Sequence, residues 1–243
     1  MRPQAINITY INAYDKKIEI PCTLWGKSSN KLFIAVHGDL SHKEDTVIRI
    51  LAENATSKGY QVLSFDLPEH GSRSDNNYKC NPQNSISDLT AIYNYAKKLS
   101  SDIYLFACSI GVYFSILAYS EYNIKKGFFL SPILNMEQII QNMMIGFHIS
   151  EQQLKSEKQI LLPIGKTLDW DYYMYAKEHP ITLNRMFPSK ILVGSKDTVS
   201  EREDIKAFSK QYNAVFLVFQ GGEHYFHTPE QLMFFERCLS NNL

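Results

Sequence analysis

The chain has 243 residues, 44% of them apolar, and its 25 Lys plus Arg balance 25 Asp plus Glu, for a formal net charge of zero. That length accommodates one α/β domain with a substantial core. Zero net charge without a basic run argues against nucleic acid or an anionic membrane as the main partner, and no apolar run is long enough to span a bilayer.

In chain order, residues 6–11 and 18–24 read as an antiparallel pair that turns at Tyr14-Asp15-Lys16-Lys17. Residues 32–36 form a wholly apolar strand. Residues 45–57 form a helix with apolar positions at Val47, Ile48, Leu51, Ala52 and Ala55, and residues 61–65 form the next strand. An amphipathic helix over 85–99 carries Ile86, Leu89, Ile92, Tyr93 and Ala96 on one side. A strand over 103–106 leads into an apolar helix over 112–119, and 127–130 is another strand. The pattern resumes with a strand at 190–193, a helix at 203–212, a strand at 214–219 and a closing helix at 229–239. Short apolar strands alternating with helices predict an α/β fold with a mostly parallel sheet covered by helices on both faces.

One stretch breaks the rhythm. Residues 132–187 show no strand periodicity, although crossovers are normally much shorter. The segment carries Met143, Met144, Phe147, Trp170 and Tyr173. It reads either as a surface insertion with a small core of its own or as a helical lid over the carboxyl edge of the sheet, where open α/β sheets bind ligands. The expected organisation is a single domain, 1–243, with 132–187 as the lid insertion. The five apolar residues are the candidate substrate-binding wall, since Met and aromatic side chains suit adaptable apolar pockets. Asp169-Trp170-Asp171 reads as a helix cap.

The most informative motif is Ala107-Cys108-Ser109-Ile110-Gly111, between the strand 103–106 and the helix that follows. A serine on a tight strand-to-helix turn, flanked two residues away by small side chains, is the nucleophile-elbow arrangement. Cys108 in that role would have Phe106 and Ile110 as flanks, which are too bulky. It is expected to pack as a small apolar group. His37-Gly38-Asp39, directly after the strand 32–36, can turn a backbone N–H toward the serine. The amides of Asp39 and Ile110 would then form an oxyanion hole, with His37 shaping the loop.

Asp197 lies just beyond the strand 190–193, and His224 just beyond the strand 214–219, after Gly221-Gly222. Asp197 follows Ser109 by 88 residues and His224 follows Asp197 by 27, so the order is Ser, Asp, His. His227 is nearer the final helix and reads as a cap-region or surface histidine. No carboxylate follows the strand 127–130 within Ser131-Pro132-Ile133-Leu134-Asn135, which favours Asp197 as the acid. The histidines are dispersed and neither a His-Glu-x-x-His nor a glycine-rich nucleotide loop occurs, so no metal and no cofactor is expected.

With this constellation the chain resembles a Ser-Asp-His α/β-hydrolase of the small, lidded, esterase-like kind, over essentially its whole length. Phe65-Asp66-Leu67-Pro68-Glu69-His70-Gly71-Ser72 resembles the family's strand-ending turn, with Glu69 where the family commonly has glycine. The resemblance implies catalysis by Ser109, Asp197 and His224 on a small, partly apolar carboxylic ester, through a covalent acyl-enzyme. A thioesterase, an amidase or an acyltransferase on the same triad remains open, as does a non-catalytic ligand-binding protein on a hydrolase scaffold. The four cysteines, Cys22, Cys80, Cys108 and Cys238, form no Cys-x-x-Cys pair, and the N-terminal residues carry no long apolar stretch. A cytoplasmic location is therefore expected.

Overall fold

The computed structural model describes residues 3–74, 77–185, 187–241 and 243. Met1 and Arg2 of the N-terminal stretch and Met186 of the insertion lie outside the described residues. Strands β1 (Gln4–Ile11) and β2 (Lys17–Trp25) pair antiparallel with Ile8 opposite Ile20. Their period of two turns Ile8, Ile18 and Ile20 inward. Strand–helix alternation then runs through β3 (Lys31–Val36), α1 (Thr46–Ser57), β4 (Gln61–Phe65), α2 (Pro82–Leu99), β5 (Asp102–Cys108), α3 (Ile110–Tyr119) and β6 (Ile124–Leu130). It closes with β9 (Ser189–Gly194), α7 (Arg202–Tyr212), β10 (Val215–Phe219) and α8 (Pro229–Ser240), after an insertion that contains α4 (Met136–Gly146), α5 (Glu151–Glu157), β7 (Gln159–Leu161), β8 (Thr167–Asp169) and α6 (Trp170–Glu178).

Eight strands make one sheet in the order β1-β2-β4-β3-β5-β6-β9-β10. It is antiparallel from β1 through β4 and parallel beyond. Each central strand serves two cores. In β3, Leu32, Ile34 and Val36 pack on the side of α2, α3 and α7, while Phe33 and Ala35 pack on the side of α1 and α8. Burial on both faces explains why these strands read as continuous apolar runs rather than alternating ones. Helix α2 begins at Pro82, earlier than its apolar pattern indicates, because the Asn81 side chain accepts from Asn84 N–H and Pro82 tolerates the first helical position.

The insertion, expected to be mainly helical, also carries a short hairpin. Strands β7 and β8 form a hairpin in the register Ile160 opposite Leu168, turning through Pro163 and Gly165, the latter at φ +78°. Three-residue strands are too short to display alternation. The turn chemistry of Pro163-Ile164-Gly165 between apolar residues is the signal that marks it. Asp169 caps α6 through Tyr172 N–H at 2.9 Å.

The loops after β9 and β10 are stitched together. Ser195 N–H donates to Phe219 O at 2.9 Å, Lys196 N–H to Gly222 O at 2.7 Å, and Gly221 N–H to Ser195 Oγ at 2.7 Å. A Cβ on Gly194 would fall 2.3 Å from the Gly222 carbonyl oxygen, a backbone atom with no freedom to move aside. Gly194→Ala should therefore destabilise the protein by about 1–3 kcal/mol. In calorimetry the melting temperature should drop by about 2–4 °C per kcal/mol. An unchanged melting curve would mean that the two loops are not held against each other.

Candidate active site

Four loops converge at the carboxyl edge of the sheet, following β3, β5, β9 and β10. Ser109 joins β5 to α3 with φ +49° and ψ −122°, a conformation costing a non-glycine residue roughly 1–3 kcal/mol. Its N–H donates to Leu130 O at 3.0 Å, and its own carbonyl accepts from Val112 and Ile133 N–H at 3.0 and 3.2 Å. The turn is crowded on its far side. A Cβ on Gly111 would lie 2.4 Å from His37 O, and Ala107 is fully buried. At Gly111 the absence of a side chain is thus a steric requirement.

Ser109 Oγ lies 2.9 Å from His224 Nε2, and His224 Nδ1 lies 3.0 Å from both Asp197 carboxylate oxygens. A carboxylate only accepts, so Nδ1 carries the proton and Nε2 presents a lone pair to the Ser109 hydroxyl. Burial pushes the Asp197 carboxyl up. The hydrogen bond and charge of His224, with the N–H groups of Ser200 and Val199 at 2.8 and 2.9 Å, outweigh it and leave the pKa lowered. Asp197 is thereby held as the anion that orients the imidazole. His227 is turned away: its Nδ1 donates to Tyr225 O at 2.8 Å, and its N–H donates to Gln231 at the start of α8.

Ile110 is the first residue of α3, so its N–H has no acceptor within the helix. The His37-Gly38-Asp39 loop abuts the elbow, where a Cβ on Gly38 would stand 3.1 Å from Ser109 Cβ. His37 is buried; its Nδ1 donates to Gly38 O at 2.7 Å and its Nε2 accepts from Leu67 N–H at 3.0 Å. Burial drives its pKa down to about 4, which keeps the ring neutral and the tautomer fixed.

Of the five apolar residues singled out in the insertion, Tyr173 and Met144 are buried, and Met143, Phe147 and Trp170 pack against the same cluster. The Tyr173 hydroxyl donates to Glu151 at 3.2 Å and accepts from Gln141 at 3.4 Å, so it is engaged inside the insertion. Trp170 packs on Tyr173, with the ammonium groups of Lys155 and Lys158 near its ring. The neighbouring Tyr172 faces the other way. Its ring meets Phe114 of α3, and burial first, then Tyr113, Cys80 and Asp39, push its phenol well up. The hydroxyls of Tyr113 and Tyr172 are buried and have no hydrogen-bond partner among the described residues. Tyr172 was not distinguishable from Tyr173 by composition.

Two charged residues meet the Asp39 carboxylate: His70, part of the turn after β4 already singled out, and Lys166, which the sequence does not mark. His70, in the turn after β4, lies with Nε2 3.2 Å from Asp39, and Lys166 in the β7–β8 turn forms an ion pair with it. The Glu69 position, glycine in the resembled turn, has φ +59°; the Glu69 carboxylate accepts from Cys80 N–H at 2.7 Å. Among the described residues no cluster of three His, Cys, Asp or Glu is arranged to hold a metal ion, and no helix is long and apolar enough to cross a membrane.

No family model and no curated protein matches the sequence. Solved structures do. Est1E from Butyrivibrio proteoclasticus, determined with ferulic acid bound, superposes with a TM-score of 0.80 at 22% identity, covering 98% of this chain and 97% of that one. The Pyrococcus furiosus esterase Pf2001 gives a TM-score of 0.69 at 20% identity, over 98% and 90% of the two chains. The mouse alpha/beta hydrolase domain-containing protein 10 gives 0.76 at 13% identity, over 99% and 98%. The chain therefore has the α/β-hydrolase fold.

All four cysteines are free. Burial holds the Cys108 thiol well above its ordinary pKa, and burial pushes Cys22 up to about 12. Native protein treated with iodoacetamide at neutral pH should alkylate the half-buried Cys80 first, with Cys22 and Cys108 reacting only after unfolding. Peptide mass spectrometry reads the order, and rapid modification of native Cys108 would contradict its burial beneath the elbow.

Proposed function

We propose that the protein is a serine hydrolase that cleaves a small, partly apolar carboxylic ester through an acyl-enzyme. The observation that carries the reading is the hydrogen-bonded line Ser109–His224–Asp197, with its serine on a strained elbow. In this reading Ser109 Oγ attacks the ester carbonyl as its proton passes to His224 Nε2, and Asp197 stabilises the imidazolium. The oxyanion lies on the amides of Ile110 and Asp39. As the tetrahedral intermediate collapses, the C–O bond breaks and His224 protonates the departing alcohol. Water, deprotonated by His224, then releases the acid and restores Ser109.

Tyr113 and Phe114, on the helix that follows Ser109, and Tyr172 form an aromatic cluster. Together with the ferulic acid on Est1E, this makes esters of aromatic acids the first substrates to try. Four free cysteines suit a reducing, cytoplasmic setting. A panel of p-nitrophenyl, arylpropenoyl and thioester substrates, read beside fluorophosphonate labelling, tests the chemistry.

Ser109→Ala should abolish labelling and lower kcat by several orders of magnitude while the melting curve stays unchanged. Asp197→Asn should reduce kcat strongly with KM little altered, because the imidazole loses its tautomer and its charge support. Full turnover by a folded Ser109→Ala protein would dispose of the mechanism.

The insertion is proposed to set acyl preference. Each further CH₂ buried on it is worth about 0.8 kcal/mol, or about a fourfold preference, until the pocket fills. Truncating Met143, Met144, Phe147 or Tyr172 to alanine should shift the preferred chain length while acetyl ester hydrolysis persists. An unchanged chain-length profile in all four variants would remove the insertion from specificity.

A further inference from the structure

We infer that Lys166 and His70 are positioning residues that pin the loop bearing the Asp39 amide, so that the insertion controls the rate of acyl transfer as well as access to the site. The inference rests on the reading of Ser109 as the nucleophile.

The loop after β3 is held at its start by His37, whose ring is buried and bonded on both nitrogens. Beyond Asp39 it has no apolar anchor: Leu40 is 87% exposed, and it sits at φ +56°, where a branched side chain is strained. Further on, Lys43 N–H and Nζ reach the buried Asp66 carboxylate at 2.9 and 2.6 Å; between that anchor and His37, the Asp39 carboxylate is gripped from two distant elements. His70 approaches from the turn after β4, and Lys166 comes from the hairpin of the insertion, 127 residues further along the chain.

His70 is a cation by its partners alone. Its Nδ1 lies 2.7 Å from Pro68 O and its Nε2 3.2 Å from Asp39, and neither oxygen can donate, so both nitrogens carry protons. Burial disfavours that charge, but donation to Asp39, the influence of Cys80 and donation to the Pro68 carbonyl outweigh it and bring the His70 pKa to about 10. The carboxylate thus has two permanent cations at neutral pH. Burial pushes the Asp39 carboxyl up, and the bonds from His70 and Lys166 more than reverse this, leaving it well below the usual range.

The grip concerns position more than stability. Lys166 and Asp39 are each about two-fifths exposed, at 41% and 39%, and pairs so exposed contribute little to folding. An amide donor displaced by a fraction of an ångström, however, fails to follow the oxyanion as charge develops on it. The salt link therefore reports on the rate rather than on the melting temperature.

The test measures fluorophosphonate labelling rate, kcat and KM on p-nitrophenyl acetate for wild type, Ser109→Ala, Lys166→Ala, Lys166→Arg and Asp39→Asn. The acetyl group is too small to fill an apolar wall, so the readout does not depend on acyl binding. Lys166→Ala should lower kcat and labelling about tenfold, less than the roughly 10²–10³ of losing a donor outright, with KM within about twofold. Its melting temperature should match wild type, and Lys166→Arg should restore most of the rate. On an Asp39→Asn background, Lys166→Ala should add no further loss. Lys166→Gln, which keeps the length of the side chain, replaces the alanine variant if that variant fails to fold. A wild-type rate in Lys166→Ala, or a change confined to KM, would overturn the inference while leaving the hydrolase reading intact. Failure of wild type to label above Ser109→Ala would overturn both.

Discussion

The carboxyl edge of the sheet depends on one backbone conformation, that of Ser109. At φ +49° and ψ −122° the residue pays a conformational penalty that only a rigid surround sustains. The surround is β5, which lies between β3 and β6 with parallel ladders on both sides, so the strand cannot relax by sliding. Ser109 N–H reaches across to Leu130 O, and the Ser109 carbonyl takes Val112 and Ile133 N–H, which ties the elbow to the end of β6 and to the first turn of α3. Gly111 lets His37 O come within van der Waals contact. The same contact that makes room for the elbow therefore sets where the Asp39 loop begins.

Charge at this edge is arranged so that each carboxylate meets a fixed set of donors. Asp66 has no exposed surface and accepts from Lys43 N–H at 2.9 Å, Lys43 Nζ at 2.6 Å and Ser72 N–H at 3.0 Å. A Cβ on Gly71 would collide with it at 2.3 Å, so the turn after β4 wraps the carboxylate with backbone. Asp197 is treated similarly by Val199, Ser200 and His224. Buried carboxylates supplied in this way stay ionised at neutral pH and act as rigid struts. Asp66 holds the turn that presents His70, and Asp197 holds His224.

Much of this was legible in the sequence. The apolar strands and their alternation with helices specify a mostly parallel sheet, because each strand must be apolar on both faces. The Ser-Asp-His order and the small flanks of Ser109 led to three side chains that hydrogen bonds join in a line through His224. What escaped has physical causes. The hairpin β7–β8 is too short for period two to emerge. The Lys166–Asp39 pair joins residues 127 apart, and no local pattern encodes a contact between a hairpin tip and a loop across the molecule. Glu69 occupies a positive-φ position where the resembled turn commonly has glycine, and its carboxylate accepts from Cys80 N–H, supplied by a loop eleven residues later.

Tyr172 and Tyr173 show why the insertion resisted a reading from composition. Adjacent residues on a helix point about 100° apart, so two consecutive aromatic residues face different neighbours. Tyr173 turns into the insertion, where its hydroxyl bonds Glu151 and Gln141 and its ring meets Trp170. Tyr172 turns toward Phe114 and the Asp39 loop. One helix turn thus supplies both a ring of the insertion's own packing and a ring that meets Phe114 of α3. Lys166 meets Asp39 from the hairpin directly preceding α6, so the insertion touches the rest of the molecule at two points close in sequence. A floppy segment of the same composition would make neither contact at a fixed distance. The aromatic content of the insertion thus goes into its own packing as well as into the contact with Phe114.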